Sequence, residues 1–176
     1  MTNYDKPCKK CGEIFTPYRT FDKFCYVCKK TEEALKNLDK IKKEKKKKQK
    51  EDLLTLQDYL KLAQQVFNKW IRLRDRNEPC ISCKKVINGK TDAGHLYSVG
   101  NYPSVRFNET NVNSQCIFCN RYNGGLVNEY RINYVEKYSL EQLEELNILA
   151  HQTRKYSKEE LKDLIKDYKE RIKNLE

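Results

Sequence analysis

The sequence has no apolar run approaching the roughly 20 residues that cross a bilayer. Only 38% of its 176 residues are hydrophobic, and its mean hydropathy is −0.93. These absences argue against a membrane span and a large core, and small cores need staples. The first ten residues, from Met1 to Lys10, lack the apolar stretch of a secretion signal. The chain is therefore expected in a reducing cytoplasm, where its eight cysteines read as metal ligands rather than disulfides. Acidic residues are the minority, 25 against 36 lysines and arginines, for a formal charge of +11. A four-thiolate zinc site adds a net −2, so two such sites would bring +11 to +7, which is still basic. That balance suits a polyanion, whether DNA, RNA or anionic lipid; solubility alone is the plainer alternative. Histidine is scarcest of all, with two residues.

Four segments follow from composition and pattern. Residues 1–30 are turn-rich and hold four cysteines. Residues 31–76 are helical. Thr31, with Glu32 and Glu33 behind it, marks a helix start. Lys40 to Lys50 contains eight lysines and one glutamate, with little apolar surface, and reads as an exposed basic arm. Thr55 and Asp58 mark a second start by a capping box. Leu56, Tyr59, Leu60, Ala63, Val66, Phe67, Trp70 and Ile71 then form one apolar stripe. Whether this region is one bent helix or two is left open. Residues 77–138 carry the chemistry, and Val127, Tyr130, Tyr134 and Tyr138 line one helical face. Residues 139–176 form C-terminal helices, one capped by Ser157 and Glu160. The fold class is thus α+β and mostly helical.

Cys8-x2-Cys11 and Cys25-x2-Cys28 are 13 residues apart. Two such turns complete a thiolate tetrahedron around zinc, with a short hairpin between them. This zinc ribbon either touches DNA or only caps the end of the basic arm. Cys80-x2-Cys83 and Cys116-x2-Cys119 are 32 residues apart, room for a working element. Four cysteines leave zinc no open position, so this second ion is structural and pins residues 84–115.

That pinned segment holds Asp92-Ala93-Gly94-His95. Asn111 lies 16 residues beyond His95, and Asn120 directly follows the last cysteine. A histidine, an asparagine and a terminal asparagine, framed by two cysteine pairs, make the zinc-stapled HNH arrangement. Phosphodiester hydrolysis needs a base for water and a cation for the leaving oxyanion. His95, with an ordinary pKa near 6.5, suits the first task. Asp92 and Asn120 offer oxygen ligands for a hard ion, magnesium or manganese. Asn111 is assigned to the catalytic set as the residue that fixes the histidine-bearing loop. Glu109 is a further candidate ligand, and His151 reads as a surface or capping residue. Arg106, Arg121 and Arg131 flank the site. With Lys45, Lys46, Lys47 and Lys48 they are candidate phosphate contacts, which position rather than specify. Most of the twelve tyrosines stand at helical spacings and are assigned to core and interface, not to base stacking.

The sequence resembles the phage NinG (Rap) recombination family and, more distantly, HNH resolvases such as endonuclease VII. The resemblance to NinG runs through the N-terminal cysteines, the lysine-rich helix, Arg72-Leu73-Arg74-Asp75 and Cys80-Ile81-Ser82-Cys83. It continues in Asp92 to His95, Arg106-Phe107-Asn108-Glu109, Asn111, Gln115 to Asn120 and Tyr130-Arg131. It implies a ββα-metal core and structure-specific cleavage of branched DNA, such as a Holliday junction, during phage recombination. Two cuts across a junction suit a homodimer. Two departures from the wider HNH pattern stand out. Gly94 occupies the place of the usual ligand before the histidine, so Asp92 is expected to reach the ion by a bend. The last position is Asn120 rather than histidine. The rival readings are a non-catalytic DNA-binding scaffold that keeps the HNH fold and an RNA-binding zinc protein.

Overall fold

A computed structural model describes residues 4–176. They form a mixed α+β, mostly helical structure with two small two-stranded sheets. The chain divides into two compact units, one ending at Leu54 and the other starting at Thr55.

The first unit opens with strand β1 (Lys6–Pro7), antiparallel to β2 (Ile14–Phe15). Its core is Cys8, Cys25 and Cys28, with Phe15 and Phe24 packed against them. Helix α1 (Tyr26–Asp52) follows. It starts at Tyr26, not at Thr31 as the acidic pair Glu32-Glu33 suggests. Cys25 supplies the cap, its sulfur accepting from the Cys28 N–H at 3.5 Å. A sulfur fixed by the cysteine cluster thus overrides a preference worth a few tenths of a kcal/mol to about 1 kcal/mol. Twenty-seven residues make a helix of about 40 Å. Only Cys28 is buried along it, and Lys45, Lys46, Lys47 and Lys48 are all exposed.

The second unit begins with α2 (Leu56–Arg74). Thr55 and Asp58 form the reciprocal capping box that their spacing indicates: the Asp58 N–H donates to Thr55 Oγ1 at 3.2 Å and the Thr55 N–H to Asp58 Oδ2 at 2.9 Å. The region 31–76 is therefore two helices. Strands β3 (Thr91–His95) and β4 (Val112–Cys116) pair antiparallel, with Asp92 opposite Gln115 and Gly94 opposite Asn113. A π-helical turn (Phe118–Tyr122) leads to α3 (Val127–Lys137), α4 (Leu140–Ala150) and α5 (Lys158–Leu175). Ser157 and Glu160 form the second capping box, as their spacing indicates.

Two cores sandwich the hairpin. Against one face, Phe67, Trp70 and Ile71 of α2 meet Val112, Tyr168 and Ile172, with Ala93 at the edge. Tyr168 lies 5.1 Å from both Phe67 and Trp70, ring to ring. On the other side, Tyr130 and Tyr134 of α3 join Ile81, Leu96, Tyr97, Val105, Leu146 and Ala150. Val127, expected on that face, is exposed. Arg74 and buried Asp75 lock α2 to the hairpin. Arg74 grips Asp75 at 2.6 and 2.8 Å and donates to the Glu109 and Val112 carbonyls, while Asp75 accepts from the Ser114 N–H at 2.9 Å. Arg74 thus has a structural partner on the hairpin. Among the described residues no helix is long and apolar enough to cross a membrane.

Candidate metal centres and hairpin site

The four sulfurs of Cys8, Cys11, Cys25 and Cys28 lie within 4.8 Å of one another, as do those of Cys80, Cys83, Cys116 and Cys119. Zinc–sulfur bonds of about 2.3 Å make a tetrahedron with edges near 3.8 Å. Cys11 to Cys25 is 3.8 Å and Cys83 to Cys116 is 4.0 Å. Both clusters could hold zinc, and both use the same turn. In the first pair the Cys8 N–H reaches the Glu13 carbonyl, and the Gly12 N–H reaches the Cys8 carbonyl at 2.9 Å. In the second, the Cys80 N–H reaches Lys85 and the Lys84 N–H reaches Cys80 at 2.8 Å. Gly12 and Lys84 both take left-handed backbones, at φ +79° and +59°; only glycine does so without steric cost.

Backbone N–H groups aim at the sulfurs, as they do where thiolates must be stabilised. Cys8 accepts from Cys25 at 3.3 Å and Lys10 at 3.5 Å; Cys80 accepts from Cys116 at 3.3 Å. Burial opposes ionisation of Cys8, yet backbone N–H groups of Cys11, Cys25 and Lys10 bring its thiol down to about 6. Burial and the neighbouring sulfurs push Cys28 up to about 12. Cys80 and Cys119 repeat the pattern: Cys80 falls despite burial, and Cys119 rises with it. A cation at the centre would permit all four thiols of a cluster to ionise together.

The hairpin carries the remaining site residues. Asn111 is fully buried. Its Oδ1 accepts from the Tyr97 N–H at 2.8 Å, and its Nδ2 donates to the Tyr97 and Val105 carbonyls at 3.1 and 3.0 Å. It stitches the loop between β3 and β4, so its place is that of a positioning residue rather than one that touches substrate.

Asp92 sits in β3, opposite Gln115 of β4. Its partners come to it from the π-helical turn. The Asn120 amide donates to Asp92 Oδ2 at 3.0 Å, and Arg121 pairs with both carboxylate oxygens. The Arg121 guanidinium holds the Asp92 carboxyl below the usual carboxylate range, with Asn120 and the more distant Arg72 charge adding to the effect against partial burial. Arg121, a candidate phosphate contact from the sequence, is thus spent on Asp92 in this state. Exposed Phe118 and Tyr122 flank the pair on the same turn.

Gly94 lies on β3 between Asp92 and His95. A β-carbon there would fall within 2.8 Å of Gln115 Cβ and closer still to the Gln115 carboxamide. Gln115 is itself fixed, donating to Ser82 Oγ at 2.6 Å and the Gly125 carbonyl at 2.5 Å. A side chain at position 94 would therefore force Gln115 to move.

His95 is three residues from Asp92 on the same strand, so the pleat sends the two side chains to opposite faces. His95 faces α2, its Nε2 lying 3.4 Å from Gln64 Nε2. Burial, with the Arg106 charge adding, holds the imidazole below its ordinary value, against hydrogen bonds to the Arg106 and Ala93 backbone. That direction favours the neutral ring. Gln64 also donates to Asn68 at 2.8 Å. Sequence reasoning missed Gln64, since a glutamine inside an amphipathic helix carries no signal of its own.

The other candidates are scattered. The Arg106 Nε is buried without a partner, while its Nη2 reaches the Val99 carbonyl at 3.4 Å. Exposed Arg131 lies over the Tyr97 ring. Glu109 accepts from Tyr168 and Arg171, at 3.0 and 2.7 Å, and so belongs to the docking of α5 rather than to the Asp92 cluster. His151 caps the end of α4, its Nδ1 2.8 Å from the Asn147 carbonyl.

Two four-cysteine clusters on a mixed α+β frame, one of them stapling a β-hairpin, define the class of protein. A family model described as the bacteriophage lambda NinG protein matches residues 2–176. The chain belongs to the NinG family. Over 117 residues, 66% of this chain, it is 35% identical to the NinG protein of Escherichia phage lambda and 34% identical to that of Salmonella phage P22. Over the same length it is 33% identical to the NinG protein of Escherichia phage 933W. These matches span only 57–58% of the relatives' own length. No solved structure matches the chain.

Proposed function

We propose that the protein is a metal-dependent DNA endonuclease of the HNH, ββα-metal type, acting on branched DNA in phage recombination within the host cytoplasm. The observation that carries this reading is the Asp92–Asn120 contact of 3.0 Å. It joins the hairpin to the helical turn behind it, which supports reading the two strands and the turn as one site.

Asp92 and Asn120 would hold magnesium or manganese, with Asn120 turning its amide oxygen inward. Arg121 already stands beside Asp92 as a cation. The ion would supply Lewis-acid stabilisation of the leaving oxygen. Neutral His95 would take the proton of the attacking water. To do so its ring must leave Gln64 when DNA binds. A 3.4 Å contact is weak enough to break at small cost, and such geometry often tightens only with substrate. Asn111 keeps the loop after His95 in place. Freed Arg121, with Arg106, Arg131 and Lys45 to Lys48, would contact phosphates. A homodimer would place two such sites across a junction, and Leu35, Leu38 and Ile41, about half exposed along α1, are candidate contacts.

One observation favours a second reading, a DNA-binding scaffold without cleavage. Arg121 occupies the Asp92 carboxylate while His95 faces away from it. Nicking of a four-way junction, with linear duplex and RNA as competitors, separates the two. Magnesium- or manganese-dependent cuts at the branch support the nuclease. Tight junction binding with no cuts in either metal supports the scaffold, and preference for RNA removes both.

A further inference from the structure

The N-terminal unit exposes aromatic rings where a small stapled unit would be expected to hide them. Tyr18 is 95% exposed, Phe21 69% and Tyr26 73%. Tyr18 and Phe21 lie on the connection between β2 and α1, and Tyr26 is the first residue of α1. None of the three packs into the cysteine core, which uses Phe15 and Phe24 instead. The connection is ordered around its own polar contacts: Asp22 accepts from the Arg19 N–H at 3.0 Å and from Lys29 Nζ at 2.6 Å.

Cations interleave with these rings. Arg19 lies over Phe21 at 5.9 Å and Lys30 over Tyr26 at 5.8 Å. Lys23 and Lys29 stand in the same stretch. A stretch that exposes aromatic rings among cations repels a cationic partner. Its complement is a polyanion with accessible π-faces. Duplex DNA hides its base faces in the stack, whereas a single strand presents them.

We propose that this stretch is a binding site for single-stranded nucleic acid, with single-stranded DNA as its probe. Tyr18, Phe21 and Tyr26 stack on unpaired bases, while Arg19 and Lys23 neutralise the adjoining phosphates. The lysine-rich remainder of α1 has no exposed aromatic residue after Tyr26. It supplies charge without stacking, so the distinction between single strand and duplex belongs to the cysteine-stapled end. This site is independent of cleavage at the hairpin and stands whether or not the protein cuts DNA.

The test uses the full chain, with oligothymidine and a duplex of equal length as probes, followed by fluorescence anisotropy at fixed salt. Replacing one stacking ring by alanine typically weakens a site about five- to a hundredfold. Tyr18→Ala and Phe21→Ala should each weaken oligothymidine binding about tenfold. Duplex binding and zinc content should be unchanged, because both rings are exposed. Tyr18→Phe should keep wild-type affinity, since stacking needs the ring and not the hydroxyl. Tyr18→Trp should lose indole fluorescence on adding oligothymidine, read against the signal of buried Trp70. Wild-type affinity in the Tyr18→Ala/Phe21→Ala double variant would overturn the proposal. So would equal losses on single strand and duplex at constant zinc content.

Discussion

Arg121 grips the Asp92 carboxylate through two parallel hydrogen bonds, Nε to Oδ2 at 2.7 Å and Nη2 to Oδ1 at 2.8 Å. A divalent ion on Asp92 must displace this guanidinium. The Arg121 side chain is 59% exposed, so solvent screens the pair and weakens it. Arg121→Ala should therefore bind manganese more tightly than wild type, by up to about fivefold, as read by electron paramagnetic resonance. Equal affinities would mean that the ion does not use Asp92. Binding by neither protein would remove the metal site altogether.

The two cysteine clusters should carry two zinc ions per chain by elemental analysis. Because the chain forms two compact units, their losses should separate. Cys83→Ser should lower the stoichiometry toward one and abolish the main thermal transition, since metal binding is part of folding energy. Cys11→Ser should also lower it toward one yet leave that transition in place. A single shared transition lost in both variants would contradict independent units.

The lysines at positions 45–48 lie fully in solvent on α1. Changing all four to glutamine should weaken binding to every DNA and reduce the slope of log affinity against log salt by up to about 3–4. An unchanged slope would make the run a solvated helix face.

His95 should titrate below its ordinary value of about 6.5, mainly through burial. The sign follows directly. A histidine whose folded value is depressed adds stability above the unfolded value and loses it as pH falls through the folded value. Histidine-selective NMR should place one of the two imidazoles below pH 6.5 and assign it through its loss in His95→Ala. The acid limb of any cleavage profile should follow the same group. A His95 value above 6.5 would contradict its burial against Gln64 and Arg106.

Much of this arrangement is legible in the sequence because cysteine spacing and helix caps act locally. Cys8 to Cys28 and Cys80 to Cys119 meet as their pairing demands, and Thr55 with Asp58 starts α2. The misplaced start of α1 has a clear cause: the Cys25 sulfur, held by tertiary contacts, caps the helix five residues before the Glu32-Glu33 pair takes effect. The approach of Asn120 to Asp92 follows from the turn behind Cys116-x2-Cys119. That Arg121 comes with it depends on a π-helical turn, which no residue pattern announces. The direction of His95 was not legible either, because strand parity fixes it and the extent of β3 shows only once β4 pairs with it. Gly94 reads in sequence as a missing ligand; in the fold it is the space Gln115 occupies.

The most direct test of the nuclease reading is junction nicking by His95→Ala. Zinc would be held by cysteines and DNA mainly by lysine and arginine contacts to phosphate, so zinc content and junction affinity should stay near wild type. Cutting should fall about 10²–10⁴-fold, the usual loss with a general base. High magnesium or manganese should not restore it, whereas Asp92→Ala and Asn120→Ala should recover in part under the same conditions. Normal cutting by His95→Ala would contradict the account, and rescue by added metal would make His95 a ligand rather than the base.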